Sequence, residues 1–411
     1  MQVIIQAWRK GRRGSVRWAS GALVCLLIIE AAAAQSTGYQ DIPIGHSWPR
    51  SIGINPTTNQ VYLTTTSGLY PPTGFTLTVV NASSRTISRV IPFQGIPGEL
   101  AVDPNTNRVY VINGSSVVIF DGASGDGKGI IRFEEPLYAV AVDPGTSRLY
   151  ATSADTLLEI SLNPQVTEKK SFQVGSYALG LAVNPTTNMV YVANYLSNTV
   201  SVLDATKESI VGTIDLGAQS TNPSELAVNP TTNKVYVTTG RNSVVVIDGL
   251  TDRVTTTLQV GTSPGTNSTY ALAVDPTKDR VYVATTPSPL VTIIDGRTDT
   301  IASTLRINYS PYDLAVDPAN SRLYVTDYHL LTVVEVGELS SSQPITALEL
   351  IGAITLAILL ASVLLWRRPR RGLVRGKSKR DVIPSGERLD VLPSRLRRFP
   401  SFWPSSCHQP R

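Results

Sequence analysis

The chain has 411 residues, 42% of them hydrophobic and 16% charged, a composition typical of one large globular domain or two ordinary ones. The formal net charge of +5 is segregated: both ends are basic, whereas residues 35–366 hold 18 bases and 27 acids, a net charge of −9. An acidic body argues against nucleic-acid binding, and the two cysteines, Cys25 and Cys407, lie outside it, which excludes a disulfide framework there.

Residues 1–34 have the pattern of a secretory signal peptide. Basic residues extend to Arg17, an apolar segment follows from Ala19 to Ile29, and a run of four alanines provides a cleavage site before Gln35. An uncleaved membrane anchor is the alternative, although the apolar segment is short for a span of about 20 residues and Glu30 interrupts it. Both interpretations place the residues that follow on the outer side of the membrane.

The chain then repeats one pattern seven times: an apolar run, an Asx-Pro turn and a tyrosine. The Asx-Pro pairs, spaced by 40 to 48 residues, begin at Asn55, Asp103, Asp143, Asn184, Asn229, Asp275 and Asp317. Each is followed seven residues later by a tyrosine: Tyr62, Tyr110, Tyr150, Tyr191, Tyr236, Tyr282 and Tyr324. This period indicates a β-propeller, because a unit of short strands cannot bury both its faces alone and needs stacked neighbours.

The fifth unit shows how one repeat forms four strands. The predicted strands a to d are Leu226–Val228, Lys234–Thr238, Ser243–Asp248 and Arg253–Val260. The a–b turn combines a side-chain cap from the Asx, the fixed φ of proline, and Asn233, which accepts a left-handed conformation. The third unit departs most from the pattern, at Leu157–Ser161 and Lys169–Val174.

One segment of the fourth unit carries a family resemblance. Residues 182–194 read Ala-Val-Asn-Pro-Thr-Thr-Asn-Met-Val-Tyr-Val-Ala-Asn, which resembles the repeat of the YVTN-repeat β-propeller family almost residue for residue. The resemblance covers about residues 39–336. It implies the propeller fold and leaves the function open, because the motif is a structural turn and strand, and the family has varied roles, several of them on cell surfaces.

The seventh unit lacks a fourth strand, because the chain passes from Leu331–Val336 into Gly337 and a run of serines. A lone predicted strand, Tyr39–Ile44, precedes the first unit. We expect it to pair with Leu331–Val336 and close the ring, since an open array would expose unpaired strand edges. The predicted fold class is therefore all-β, a seven-bladed propeller of four-stranded blades that occupies residues 35–338.

The C-terminal part predicts a membrane anchor. Residues 339–344 form a linker, and residues 345–366 are apolar and span about 33 Å as a helix, enough to cross a bilayer. The arginines that follow, from Arg367, mark the cytoplasmic side. A buried core helix is the alternative. Residues 367–411 are basic and lack periodicity, which predicts a disordered cytoplasmic tail that contacts anionic lipid.

No catalytic motif occurs in the acidic segment, so we expect a protein that is not an enzyme. The side chains four residues before each Asx-Pro pair should line the mouth of the central channel, and three of them are acids: Glu99, Glu225 and Asp313. We expect solvated charges around a water-filled channel, and neither a metal nor another cofactor. The alternative is a Ca²⁺ site, because carboxylates that converge on one funnel would suit a cation that prefers oxygen ligands.

Loops d–a and b–c should form one face rich in aromatic side chains, which suit a protein or glycan ligand. These are Trp48, Tyr70, Phe75, Tyr138, Tyr177, Tyr195, Tyr270, Tyr309, Tyr312 and Tyr328. Local packing between the loops is the alternative. We therefore predict a membrane-anchored binding or scaffold module outside the cell. The alternatives are a lactonase-like hydrolase with a channel metal and a single-stranded nucleic-acid binder that stacks bases on the aromatic rings.

Overall fold

A computed structural model of the protein describes residues 39–45, 47–67, 74–162, 169–218, 220–260, 268–327 and 329–337. The predicted signal peptide (1–34), linker (339–344), transmembrane helix (345–366) and tail (367–411) lie outside the described residues. The described residues form no helix with the length and apolar character that a membrane crossing requires. Their strands form seven four-stranded antiparallel sheets, which confirms the predicted seven-bladed propeller.

Six blades consist of four consecutive strands each, in the spatial order a–b–c–d. Blade 1 comprises β2 (Ser47–Asn55), β3 (Gln60–Ser67), β4 (Gly74–Asn81) and β5 (Thr86–Phe93). Blade 2 comprises β6 (Pro97–Asp103), β7 (Arg108–Asn113), β8 (Ser116–Asp121) and β9 (Gly127–Arg132). Blade 3 comprises β10 (Val140–Asp143), β11 (Arg148–Ser153), β12 (Thr156–Ser161) and β13 (Lys169–Gln173).

The next three blades repeat this arrangement. Blade 4 comprises β14 (Ala178–Asn184), β15 (Met189–Asn194), β16 (Thr199–Asp204) and β17 (Ser209–Asp215). Blade 5 comprises β18 (Leu226–Asn229), β19 (Lys234–Thr239), β20 (Ser243–Asp248) and β21 (Arg253–Gln259). Blade 6 comprises β22 (Ser268–Asp275), β23 (Arg280–Thr286), β24 (Leu290–Asp295) and β25 (Thr300–Arg306).

Blade 7 joins the two ends of the propeller, as the sequence predicts. Its strands a to c are β26 (Asp313–Asp317), β27 (Arg322–Thr326) and β28 (Leu330–Glu335), and its outer strand is β1 (Tyr39–Pro43). Tyr39 lies opposite Val334 in the ladder. Ile42 and Ile44 are buried in a core cluster formed with blades 1 and 7, so the closing strand also contributes to packing.

The Asx-Pro turns have the same structure in every blade. Asn229 Oδ1, for example, accepts hydrogen bonds from Thr231 N at 3.0 Å and Thr232 N at 3.4 Å. The fourth residue after each Asx has a positive φ, between 51° and 58°: Asn59, Asn107, Ser147, Asn188, Asn233, Asp279 and Ser321. The cap thus holds a backbone conformation that residues other than glycine seldom adopt, as predicted for Asn233.

The asparagine turns also connect blades. The Nδ2 of Asn55, Asn184 and Asn229 donates to the Oδ1 of the left-handed residue in the next blade, at 2.6–2.7 Å: Asn107, Asn233 and Asp279, respectively. An aspartate has no such donor. Asp103 instead accepts a hydrogen bond from Thr106 Oγ1 of its own turn at 2.5 Å. Asparagine thus connects two blades through the Asx side chain itself. Turns with aspartate connect them through other residues, since Asn105 Nδ2 donates to Pro144 O at 3.1 Å and Lys278 Nζ to Ser321 Oγ at 2.7 Å.

The hydrophobic core lies between blades. All seven repeat tyrosines are fully buried, and each lies in a cluster that includes residues of an adjacent blade. Tyr62 packs with Val109 and Val111 of blade 2, and its hydroxyl donates to Gly122 O at 3.2 Å. Stability of one blade therefore depends on its neighbours.

The antiparallel strands define two ends of the propeller. The a–b and c–d connections lie at one end, the turn end, and the d–a and b–c connections lie at the other, the loop face. Strand β28 is strand c of blade 7, so it ends at the turn end. Tyr39 lies opposite Val334 near that end, and therefore the first and last described residues both lie at the turn end.

Candidate binding site at the channel mouth

The loop face carries exposed aromatic side chains near the junction of blades 7 and 1. Trp48, Tyr309 and Tyr312 are 46%, 55% and 41% exposed, respectively. Trp48 stands at the start of strand a in blade 1, and the two tyrosines precede strand a in blade 7. These three predicted binding residues are therefore at the surface where a ligand could reach them.

A second aromatic group lies on the loops of blades 3 and 4. The ring centroids of Tyr138 and Tyr177 are 4.9 Å apart, and those of Tyr177 and Tyr195 are 5.8 Å apart. Only Tyr177 of the three is largely exposed. The three rings thus pack against one another, as the local-packing alternative predicts, while Tyr177 also remains exposed at the surface.

The remaining predicted binding residues do not add to this surface. Phe75 is half-buried and packs against the core between blades 1 and 2, because it continues the β4 ladder opposite Phe93. Tyr70, Tyr328 and the side chain of Tyr270 lie outside the described residues.

Strand a begins with an irregular step in four blades. The register between strands a and b shifts near the start of β2, β6, β14 and β22. In blade 1 the shift falls between Pro49 and Ser51, so Arg50 is the bulged residue. A bulge re-aims its side chain and often lies beside a functional site.

A hollow of about 260 Å³ opens on the loop face where the blades converge. All seven blades contribute to its wall, which identifies it as the mouth of the central channel. The apolar residues of the wall are Ile52, Leu100, Val140, Leu181, Leu272 and Leu314, and the polar ones are Arg50, Ser51, Glu99, Glu225, Tyr312 and Asp313. The structure thus brings the three sequence-predicted carboxylates to one site.

A repeated hydrogen bond positions side chains at this mouth. The residue four before the Asx of one blade accepts from the backbone N–H of the residue three before the Asx in the next blade. The three examples are Asp313 Oδ2 with Ile52 N (3.0 Å), Ser51 Oγ with Leu100 N (3.3 Å) and Glu99 Oε2 with Val140 N (2.9 Å). These bonds hold two of the carboxylates at the mouth.

Glu225 is placed by close packing instead. A Cβ added to Gly180 would lie 1.9 Å from Ser224 O, so glycine is required for blade 4 to approach blade 5 here. The carboxylate of Glu225 makes no hydrogen bond to a described residue. It is therefore the least satisfied of the three acids.

The surroundings of these carboxylates oppose ionisation. Each is partly exposed to the channel, but protein surrounds it on the other sides. Desolvation raises the pKa of Glu99 to about 8 and that of Asp313 to about 7, against the lowering effect of their backbone hydrogen bonds. Desolvation and then repulsion from Glu99 and Asp313 raise the pKa of Glu225 well above its ordinary value.

A smaller hollow of about 50 Å³ adjoins the mouth and shares Arg50 and Tyr312 with it. Trp48 and Asp327 also line it. Asp327 is only 3% exposed, and its Oδ1 accepts hydrogen bonds from the backbone N–H groups of residues 329 and 330. Its Oδ2 makes no hydrogen bond to a described residue.

The arrangement gives no support to the alternative of a Ca²⁺ site. Among the described residues, no group of three or more His, Cys, Asp or Glu side chains is arranged to hold a metal ion. Glu99, Glu225 and Asp313 come from blades 2, 5 and 7, and so they stand apart around the mouth. They share one hollow without converging on one point.

Two site residues were missed by the sequence interpretation. Arg50 occupies the repeat position five before the Asx, which is also the position of Tyr138 and Tyr312. Comparison of that column across the repeats would have found it. Asp327 follows strand b in blade 7, and no repeated feature of the sequence marks it.

Comparison with known proteins supports the architecture alone. No family model matches the chain, and no curated protein matches it. A solved structure described as the crystal structure of the Myceliophteria thermophila Cps50 (Swd1) β-propeller domain aligns with a TM-score of 0.61 and 12% identity, covering 73% of this chain and 100% of that one. Because 1830 solved chains match, the likeness identifies the β-propeller fold and no particular function.

Proposed function

We propose that this protein is a membrane-anchored, extracytoplasmic scaffold that binds a protein partner through its loop face. The supporting observation is that exposed aromatic side chains and the open channel mouth occur together at that end. Trp48, Tyr309 and Tyr312 are large, partly apolar and exposed, which is the character of residues at the centre of protein interfaces. These side chains make the loop face a better candidate for a binding surface than the turn end.

The location rests on the sequence. The signal-peptide pattern of residues 1–34 and the apolar segment 345–366 favour export followed by anchoring. The described chain ends at Gly337, at the turn end.

Photo-crosslinking on intact cells tests the binding surface. A photoreactive amino acid at Tyr309 should give a specific crosslinked product with the full-length chain. The same group at Leu250 is the matched control, because Leu250 is 84% exposed but lies at the turn end. Equal products from both positions, or none from Tyr309, would contradict the proposal.

Protease accessibility tests the location separately. Protease added to intact cells should digest the propeller and spare the tail after Arg367. Cleavage of the tail from outside would overturn the proposed orientation.

A further inference from the structure

The acids of the channel mouth have no compensating cation. No lysine, arginine or histidine of the described residues forms an ion pair with Glu99, Glu225 or Asp313. Arg50 is the one cationic residue on the wall of the hollow. Its side chain is exposed and makes no hydrogen bond or ion pair with a described residue. When the three acids ionise, they focus a negative potential in a confined, poorly solvated space.

The adjoining hollow gives a second, independent indication of a ligand. Asp327 is almost fully buried there, yet its Oδ2 lacks a hydrogen bond to a described residue. This oxygen is therefore available to a donor that enters the hollow. Trp48 and Tyr312 line the same hollow and provide aromatic surface beside this carboxylate.

The chemistry of this combined site favours an organic cation. Separate carboxylates around a hollow suit a charged group that makes several long-range contacts, whereas a metal ion needs its ligands at one point. Aromatic faces attract ammonium and guanidinium groups and also pack against the apolar stem that carries them. A hollow of about 260 Å³ admits such a group together with part of its stem.

We propose that the channel mouth receives a lysine or arginine side chain of the protein partner, with its charged group among Glu99, Glu225 and Asp313 and its stem beside Trp48 and Tyr312. This inference rests on the proposed function and names the chemistry that the loop face recognises. Arg50 lies at the rim of the hollow. The positive charge of Arg50 repels an incoming cation, so replacement of Arg50 tests whether the ligand is positively or negatively charged.

The experiment is a calorimetric titration of the purified full-length chain with blocked pentapeptides, Gly-Gly-X-Gly-Gly, in which X is lysine, arginine or norleucine. We expect the lysine or arginine peptide to bind and the norleucine peptide, which has the stem without the charge, not to bind. At pH 9, where the acids of the mouth are ionised, Glu225→Gln should weaken binding of the basic peptide by about tenfold, because it removes an attractive charge and keeps the shape. Asp155→Asn, at an exposed acid of the loop face away from the mouth, should leave affinity unchanged.

Arg50→Gln distinguishes a cationic from an anionic ligand. Removal of the opposing positive charge should leave binding of the basic peptide unchanged or tighter. Loss of binding in this variant would overturn the proposal in favour of an anionic group. Equal binding of the norleucine peptide, or binding of a methyl glycoside in place of the basic peptide, would also overturn it, the latter indicating a glycan.

A pH series on the unmodified chain keeps the test independent of any variant. The basic peptide should bind at least several-fold more weakly at pH 6 than at pH 9, because the three acids of the mouth must be ionised to attract it. The other ionisable groups that line the two hollows are Arg50, Tyr312 and Asp327. Affinity that is the same at both pH values would contradict the proposal.

The crosslinking experiment separates this inference from the proposed function. If the photoreactive group at Tyr309 gives a crosslinked product but Glu225→Gln does not change the affinity for the basic peptide, this inference is refuted and the proposed function stands.

Discussion

At the turn end, the seven blades repeat the same contacts, whereas at the loop face the equivalent positions differ from blade to blade. The residue four after each Asx is left-handed in all seven turns. Five residues before the Asx, by contrast, the repeat has Arg50, Gly98, Tyr138, Leu179, Ser224, Tyr270 and Tyr312. Residues at the turn end thus maintain the ring, whereas residues at the loop face can vary between blades and form a ligand site.

The same contrast appears in how polar groups are satisfied. Buried Asx side chains at the turn end are capped by neighbouring backbone N–H groups, as Asn229 is by Thr231. At the channel mouth, Glu225 has no such partner. A fold tolerates a poorly satisfied carboxylate at a cost in stability, and such sites are often functional.

The largest expected effect follows from opening the ring. Deletion of residues 39–45 removes β1 together with the buried side chains of Ile42 and Ile44. Loss of two buried isoleucines alone costs about 4–10 kcal/mol at about 2–5 kcal/mol each. It also exposes the edge of β28, so the full-length deletion variant should melt at a much lower temperature and aggregate. An unchanged melting temperature and a monomeric elution profile would rule out this closure.

The next effect compares one residue type at two places. Tyr236→Ala should destabilise the protein by about 3–5 kcal/mol, because Tyr236 is fully buried between blades 5 and 6. Tyr309→Ala should change stability by less than about 0.5 kcal/mol, because that side chain is 55% exposed. Denaturant titration of both variants measures the difference. Similar losses would mean that the loop face is also part of the stabilising structure.

A smaller effect tests the connection between blades at the turn end. In the unmodified protein, Asn229 Nδ2 lies 2.6 Å from Asp279 Oδ1. Asn229→Asp keeps the oxygen that accepts the turn hydrogen bonds but replaces this Nδ2 donor with a second oxygen that faces Asp279. Two facing carboxylates should cost about 2 kcal/mol at neutral pH. Repulsion ends when one is protonated, so the loss should shrink in acid. A deficit in the free energy of unfolding that is the same at pH 4 and pH 7 would refute this explanation.

The smallest expected effect concerns a turn whose Asx side chain makes no hydrogen bond to the next blade. Asp275→Ala removes the acceptor for Thr277 N and Lys278 N within its own turn. It should cost about 1 kcal/mol, the usual magnitude for loss of a local side-chain cap. Binding of any loop-face ligand should not change. Weaker binding in a variant of unchanged stability would show that the turn itself recognises the ligand.

The turn end could be predicted from sequence because its contacts are local. An Asx, a proline and a left-handed residue lie within five positions, so the motif shows itself in each repeat. Ring closure was also predictable, because a missing fourth strand after Leu331–Val336 matched a spare one before the first repeat. Both inferences needed only the order of the strands.

The loop-face site was only partly predictable. Its carboxylates were found because Glu99, Glu225 and Asp313 share one repeat position. Their separation around the mouth was not predictable, because it also depends on the diameter of the ring. Arg50 could have been found by comparing its repeat position with that of Tyr138 and Tyr312. Asp327 joins the site through a b–c loop, which leaves no pattern in one sequence.

The dependence of stability on pH tests most directly whether the acids of the mouth lack a counter-charge. A carboxyl group whose pKa is higher in the folded state than in the unfolded state stabilises the folded protein while it is protonated. This contribution is fully present below the unfolded-state pKa, about 4, and is lost as the pH rises through the folded-state pKa. For Glu99 and Asp313 those folded values are about 8 and about 7. Carboxylates with lowered pKa values, such as Asp204 and Asp295, act below this window.

The measurement is the free energy of unfolding of the full-length chain and of its Glu99→Gln/Glu225→Gln variant, at intervals from pH 5 to pH 9. The unmodified chain should lose stability steadily between about pH 5 and pH 8. The variant should lose much less, and at pH 9 it should be the more stable protein, because uncharged amides carry no desolvation penalty for ionisation. Parallel curves for the two proteins would contradict the account, since they would show that these acids are already compensated within the fold.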